Sequence, residues 1–219
     1  MTGLFITFEG GDGSGKTTQV NMLAEYLRDC GREVVATREP GGTELGSEIR
    51  KLILHGEDMC PKAEALLYAA DRAHHIATVV RPALARGAVV LADRYLDSSV
   101  AYQGVARDLG LDEVRDLSLW ATDGLMPSLT LLLDVPVSVG AERVGASQDR
   151  IEAAGAAFHQ AVRDEYLKLA GEDPRRWRVI DAKGGVEDVA AQVRDAVLVF
   201  LENPQEPAAE NSGAVPGAK

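Results

Sequence analysis

The segment Gly10-Gly11-Asp12-Gly13-Ser14-Gly15-Lys16-Thr17 constrains this chain more than any other, because it fits the pattern G-x-x-x-x-G-K-[ST]. Leu4-Phe5-Ile6-Thr7-Phe8 before it is a β-branched and aromatic run, and Val20, Leu23, Ala24 and Leu27 after it recur at helical spacing. Strand, loop and helix follow in register. Such a loop turns backbone N–H groups inward at a helix N-terminus, which glycines allow by adopting positive φ and leaving no Cβ in the way. Lys16 then neutralises charge on the β- and γ-phosphates, and the Thr17 hydroxyl completes a Mg²⁺ site. A glycine-rich turn with a coincidental lysine is the plain alternative, and it leaves the flanking strand and helix unexplained. Gly10 through Thr17, with Thr18, are therefore the candidate site for a nucleoside triphosphate.

Further strand candidates are Val34–Thr37, Ala88–Ala92, Leu129–Asp134 and Trp177–Ile180, separated by amphipathic stretches. Buried-looking strands alternating with helices predict an α/β fold, a five-stranded mostly parallel sheet covered by helices on both faces. The segment between the second and third strands, Thr43 to Gly87, is longer than a simple crossover, and Lys62–Thr78 favours a long helix. In open α/β sheets ligands bind beyond the carboxyl ends of the strands, so the residues just after Phe8, Thr37 and Ala92 should carry the chemistry. A length of 219 residues suits one domain, expected over 1–202. From Asn203 the chain carries three prolines and no aromatic residue, which predicts a disordered tail over 203–219.

Twenty-three Lys and Arg against 34 Asp and Glu give a net charge of −11, which disfavours sequence-independent nucleic-acid binding. The longest apolar runs, such as Leu129 to Val135, fall far short of the ~20 residues of a membrane span. Cys30 and Cys60 lie too far apart for a zinc pair and suit a reducing compartment, so the expectation is a soluble cytoplasmic protein. His55, His74, His75 and His159 form no ligand pattern and read as surface or packing residues. Trp120 and Trp177 read as core anchors.

Three further features can serve an acceptor. Asp93 and Arg94 end the third strand, where the carboxylate can hold Mg²⁺ and the guanidinium can grip an oxyanion; a structural Asp–Arg pair is the alternative. Arg38-Glu39-Pro40-Gly41-Gly42-Thr43 follows the second strand as an irregular turn that aims its flanking side chains, though alone it reads equally as a plain loop. Tyr68 and Arg72 share a helical face, offering a ring and a cation, whereas taken alone a core tyrosine beside a solvated arginine is the simpler reading.

Taken together, these residues resemble bacterial thymidylate kinases. The likeness rests on Phe8-Glu9 with the glycine loop, on Arg38 to Thr43, and on Asp93-Arg94-Tyr95-Leu96-Asp97-Ser98-Ser99-Val100-Ala101-Tyr102-Gln103-Gly104, and it spans Leu4 to about Leu201. The resemblance implies transfer of the γ-phosphoryl of ATP to dTMP, giving dTDP and ADP, with Mg²⁺ as cofactor and a homodimer as the assembly. It implies that Lys16 and Thr17 serve the donor phosphates and the metal, with Asp93 beside them, and that Asp12 approaches the acceptor 3′-hydroxyl. Arg94 and Arg50 match acceptor-phosphate clamps, Tyr68 the ring that stacks on thymine, and Arg72 the arginine that reaches its O4. Ser99 and Gln103 match polar base contacts, Tyr102 the ring near the sugar 2′ position, and Glu39, Pro40 and Ser98 belong to the same pocket.

Some thymidylate kinases carry a catalytic arginine in the phosphate loop, but Gly13 stands at that position here. The resemblance therefore implies cations from a short lid, expected over about 145–153, with Arg150 as the transition-state contact and Arg143 as the other donor-side base. Two alternatives stay open at this point: a kinase of another nucleoside monophosphate, and a nucleotide-binding regulatory protein that has kept the loop and lost turnover.

Overall fold

The computed structural model describes residues 3–145 and 149–202; the expected tail, 203–219, and three residues of the expected lid, 146–148, lie outside them. β1 (Leu4–Glu9) runs into the phosphate loop and α1 (Lys16–Asp29). β2 (Val34–Arg38), α2 (Glu44–His55), α3 (Pro61–His75) and α4 (Arg81–Ala85) follow, with a π-helical stretch, Ile76–Val80, joining α3 to α4. β3 (Val89–Asp93) leads to α5 (Leu96–Ser99), which continues as a second π-helical stretch, Val100–Ala106, and then to α6 (Leu111–Thr122). β4 (Leu129–Asp134), α7 (Val137–Val144), a 3₁₀ turn at Glu152–Ala154, α8 (Ala156–Glu172), β5 (Trp177–Asp181) and α9 (Val186–Glu202) complete the order.

The strands form one sheet in the order β2-β3-β1-β4-β5, and every pairing is parallel. Parallel strands need crossovers that put helices on both faces, which is why these strands read as continuous apolar runs. Successive side chains go to opposite sides. Ile6, Phe8, Leu91 and Leu131 pack against Val20, Leu23 and Leu27 of α1 and Val193, Val197 and Phe200 of α9. Phe5, Val90 and Ala92 face the other way, onto Ile76, Val80 and Leu96. A third cluster joins Ile49 and Ile53 of α2 to Val162 and Tyr166 of α8, with Leu132 and Trp177 beneath them.

Trp177 is a core residue as expected, but Trp120 is 80% exposed, against the expectation of a core anchor. The reason lies in what α6 turns inward. Its buried residues are Val114, Ser118 and Thr122, one turn apart, and the residue two positions after Ser118 falls on the far side of the helix. Ser118 faces in because it accepts a hydrogen bond from a buried guanidinium, Arg72 Nη1, at 3.1 Å.

The register levels the strand ends that matter. Phe8 lies opposite Asp93, and Asp93 opposite Arg38, so the loops after β1, β2 and β3 open at one edge of the sheet.

Candidate active site

At that edge lies a cleft of about 640 Å³. One wall is the phosphate loop. Gly15 takes φ 91° as the residue before α1, and no acidic side chain occupies the first turn of α1, leaving a helix N-terminus suited to an anion. Gly13 sits at φ 73° with its Cα pressed on the backbone of Gly140 in α7, so that a Cβ would collide with the Gly140 carbonyl. Lys16 folds back along the loop, its Nζ donating to the carbonyls of Gly10 at 3.0 Å and Gly11 at 2.8 Å. Burial, and next the repulsion of Arg94, push the Lys16 ammonium down to about 8.

The Thr17 hydroxyl donates to Asp93 Oδ2 at 2.5 Å, placing the two expected metal residues in contact across the β1 and β3 ends. A hydroxyl and a carboxylate are hard oxygen donors, the kind Mg²⁺ takes alongside phosphate oxygens and water. Thr18 also borders the cleft. Arg143, in the last turn of α7, donates to the carbonyls of Ala182 at 3.1 Å, Lys183 at 3.3 Å and Gly13 at 3.4 Å, tying the loop to the turn after β5.

Arg94 stands between the loop and the opposite wall of the cleft. Its backbone takes φ 73°, a left-handed conformation that costs a non-glycine residue of order 1 kcal/mol, and its N–H is fixed to Phe8 O at 2.9 Å. Its guanidinium reaches Asp12 Oδ1 at 2.5 Å, Gly10 O at 3.0 Å and the hydroxyls of Tyr102, Ser98 and Tyr166 at 3.2–3.3 Å. Burial opposes the charge of Asp12, but Arg94 and Lys16 outweigh it and hold that carboxyl below its usual range. Arg94 thus pairs with the loop aspartate, while its sequence neighbour Asp93 pairs with Thr17.

The opposite wall is built from side chains of four distant segments. Arg50 donates to Pro40 O at 3.2 Å, and burial followed by repulsion from Arg38 lowers its guanidinium from the ordinary value. The Glu39–Pro40 peptide is cis. Arg72, 1% exposed, is a buried hub rather than a solvated side chain. Its Nε donates to Glu39 Oε2 at 2.7 Å, and its Nη2 to Ser99 Oγ at 3.1 Å and Tyr95 O at 3.2 Å. Glu39 Oε1 meets His75 Nδ1 at 2.8 Å, and His75 Nε2 meets Thr37 Oγ1 at 2.7 Å, so a chain of buried polar groups braces the arginine from behind. Tyr68, Ser98, Ser99, Tyr102 and Gln103 all border the cleft with it.

Arg150 is placed elsewhere. Its Nε donates to Ile53 O at 2.9 Å and its Nη2 pairs with Glu64 Oε2 at 2.7 Å, against the end of α2. Around it, Asp149 accepts from the N–H groups of Ile151 and Glu152, and Glu152 Oε2 accepts from the Asp149 N–H, a reciprocal capping box.

Several residues of the site receive no individual role from the sequence. Arg38 lines the cleft, and its signal was available, since it ends β2 at the edge where ligands collect. Glu9 ends β1 the same way and is fully buried, accepting from Tyr95 N at 2.8 Å, Ser98 Oγ at 2.6 Å and Tyr166 Oη at 2.9 Å. Burial, then repulsion from Asp97, raises its carboxyl from 4.5 to about 7. Tyr166 comes from α8 and His75 from the end of α3, and nothing local in the sequence ties either to the loop.

Comparisons with known proteins agree on one family. The family model described as thymidylate kinase matches residues 8–193. The chain is 60% identical over 196 residues to the thymidylate kinase of Leifsonia xyli subsp. xyli (strain CTCB07), covering 88% of this chain and 93% of that protein. It is 58% identical over 205 residues to the thymidylate kinase of Clavibacter sepedonicus, covering 92% and 97%. To that of Bifidobacterium longum (strain DJO10A) it is 52% identical over 202 residues, covering 90% and 98%.

Proposed function

This chain belongs to the thymidylate kinase family, and we propose that it performs the reaction of that family, transfer of the γ-phosphoryl group of ATP to dTMP to give dTDP and ADP, with the cleft residues in the roles set out below. The observation that carries the assignment is that Lys16 and Arg94 stand side by side, each donating to Gly10 O at 3.0 Å, where the phosphate loop meets the Tyr68, Arg72, Ser99 and Gln103 wall of the same cleft.

Phosphoryl transfer asks a protein for alignment and charge neutralisation more than for covalent help. The loop amides of Gly13 and Gly15 and the Lys16 ammonium hold the β- and γ-phosphates, with the rest of Gly10 to Thr18 shaping the loop around them, and Arg143 flanks the donor beside the turn after β5. Arg94 and Arg50 grip the acceptor phosphate, with Arg38 adding to the same field. Asp12, held ionised by Arg94 and Lys16, accepts from the sugar 3′-hydroxyl. Tyr68 stacks on the base, Arg72 donates to O4, and Ser99 and Gln103 meet the remaining polar edge; Tyr102 limits space at the 2′ position, with Glu39, Pro40 and Ser98 supporting the pocket. Thr17 and Asp93 hold Mg²⁺, which when bound supplies charge compensation to the phosphate oxygens.

The proposal includes a single kinase domain over 1–202, with the lid running from Gly145 through Arg150 toward Ala153 and a tail after it. Arg150 serves the transition state only if this lid leaves its contacts with Ile53 and Glu64. We read the enzyme as a cytoplasmic homodimer. Exposed free thiols at Cys30 and Cys60 suit a reducing compartment. Leu45 and Leu52 of α2, Leu66 of α3 and Trp120 of α6 are exposed on three helices packed side by side, an apolar surface suited to a second copy.

The deciding experiment is coupled ADP release with Mg·ATP against dTMP, dUMP, dCMP, dGMP, AMP, CMP and UMP, with a control lacking acceptor. A clear preference for dTMP is expected. Preference for another monophosphate overturns the base pocket while leaving the donor site, and ADP release independent of acceptor overturns the kinase assignment.

A further inference from the structure

Glu64 lies on α3 one turn before Tyr68, is 1% exposed, and has no part in the roles given above. Its carboxylate is the meeting point of three side chains. Oε1 accepts from Gln103 Nε2 at 2.9 Å and Arg107 Nε at 3.3 Å, and Oε2 pairs with Arg150 Nη2 at 2.7 Å.

We propose that Glu64 is a specificity-determining positioning residue: by engaging the NH₂ end of the Gln103 amide it turns the Gln103 carbonyl oxygen to the cleft, and so selects a pyrimidine whose N3 carries hydrogen over one whose N3 is bare. The inference deepens the base-pocket reading given under Proposed function and rests on it.

The argument is one of donors and acceptors. A carboxylate paired with guanidinium groups only accepts, so an amide beside it must present its NH₂; the flipped amide would set two acceptor oxygens against each other. Among the described residues no donor meets the Gln103 amide oxygen, and Gln103 borders the cleft. Gln103 follows Ser99 by four residues on the α5 and π-helical segment, and Ser99 touches Arg72, so a fixed acceptor stands near fixed donors. That pair matches an imide edge, N3–H beside O4, as in thymine and uracil. Cytosine offers the reverse, a bare N3 beside an amino group. A buried charge on Glu64 is costly unless satisfied, and Arg107 and Arg150 satisfy it.

The test compares kcat/KM for dTMP, dUMP and dCMP in the wild type, E64Q, R107A and Q103A. A glutamine at position 64 can both donate and accept, so the Gln103 amide gains its second orientation. We expect the dTMP:dCMP ratio to fall about tenfold or more in E64Q, with the dTMP:dUMP ratio, which depends on the methyl group, unchanged. R107A removes a partner of Glu64 without freeing Gln103, so its dTMP:dCMP ratio should stay within about twofold of wild type even if its Tm drops. An unchanged ratio in folded E64Q, or an equal fall in R107A, overturns the inference. If E64Q does not fold, Q103A decides: retention of the wild-type ratio means the amide does not read N3, and a fall supports it. A wild type that prefers some other acceptor to dTMP defeats the function reading itself, which separates that failure from this one.

Discussion

The two walls of the cleft are made differently. The wall proposed for the donor is one contiguous loop, Gly10 to Thr17, with Lys16 the one cation in it. The wall proposed for the acceptor is side chains gathered from the end of β2, α3, the α5 segment and α6, with Thr37, His75, Glu39, Arg72 and Ser118 in one hydrogen-bonded line that is buried from His75 to Ser118. A backbone site depends on glycine conformation and on very few side chains. A side-chain site depends on every link, because removing one leaves its neighbours desolvated and unpaired.

Substitutions should therefore fail in opposite ways on the two sides. The largest effect is expected for Lys16→Met, which should lower kcat by about 10³ while the Kd for dTMP, read by calorimetry, stays within about threefold. If dTMP affinity falls with it, the walls are not separable. Arg72→Ala should lower kcat/KM for dTMP by about 10² with the KM for ATP unchanged, and should lower Tm as well because Glu39 loses a buried partner. A loss confined to kcat/KM, with Tm kept, would mean the buried line is not what holds the acceptor wall.

The walls should also differ toward pH. Lys16 is charged below about 8 and neutral above it, so the Kd for ATP should rise by up to about tenfold per unit as pH climbs past 8, while dTMP binding responds less. Titration calorimetry from pH 6.5 to 9.5 reads both. The last effect concerns stability. Glu9 titrates near 7 when folded and near 4.5 when not, so the stability that comes with its folded-state proton is full below 4.5 and gone above 7. Glu9→Gln keeps a neutral group throughout; its Tm advantage over wild type should widen between pH 4.5 and 7 and then level off. A constant gap would show that Glu9 is not held away from its ordinary range.

The contrast also explains what the sequence made legible. Strands buried on both faces write themselves as apolar runs, and the phosphate loop is contiguous, so the sheet and the donor wall could be read to within a residue or so of their ends. The acceptor wall has no local signature. Tyr68 and Arg72 share a helical face, but nothing near them announces Glu39 or Ser118 as partners, and their roles came from the family likeness instead. The π-helical stretches at Ile76–Val80 and Val100–Ala106 break the 3.6-residue period that such readings rely on. Trp120 was misplaced for a related reason: α6 turns serine and threonine inward to serve a buried charge, and apolarity alone then points the wrong way. The family likeness, with Gly13 in place of a loop arginine, makes Arg150 a lid cation, and its partner Glu64, 86 residues earlier, shows only in three dimensions.

The close approach of Gly13 to Gly140 has a bearing on engineering. What blocks a side chain at position 13 is main chain, so no exchange of residues along α7 can make room, and the strand-to-helix connection itself would have to move. An arginine placed at position 13 should therefore lower Tm unless the main chain of α7 shifts with it, which thermal unfolding of Gly13→Arg would read. The packing makes the two segments one structural unit, although more than a hundred residues separate them in the chain.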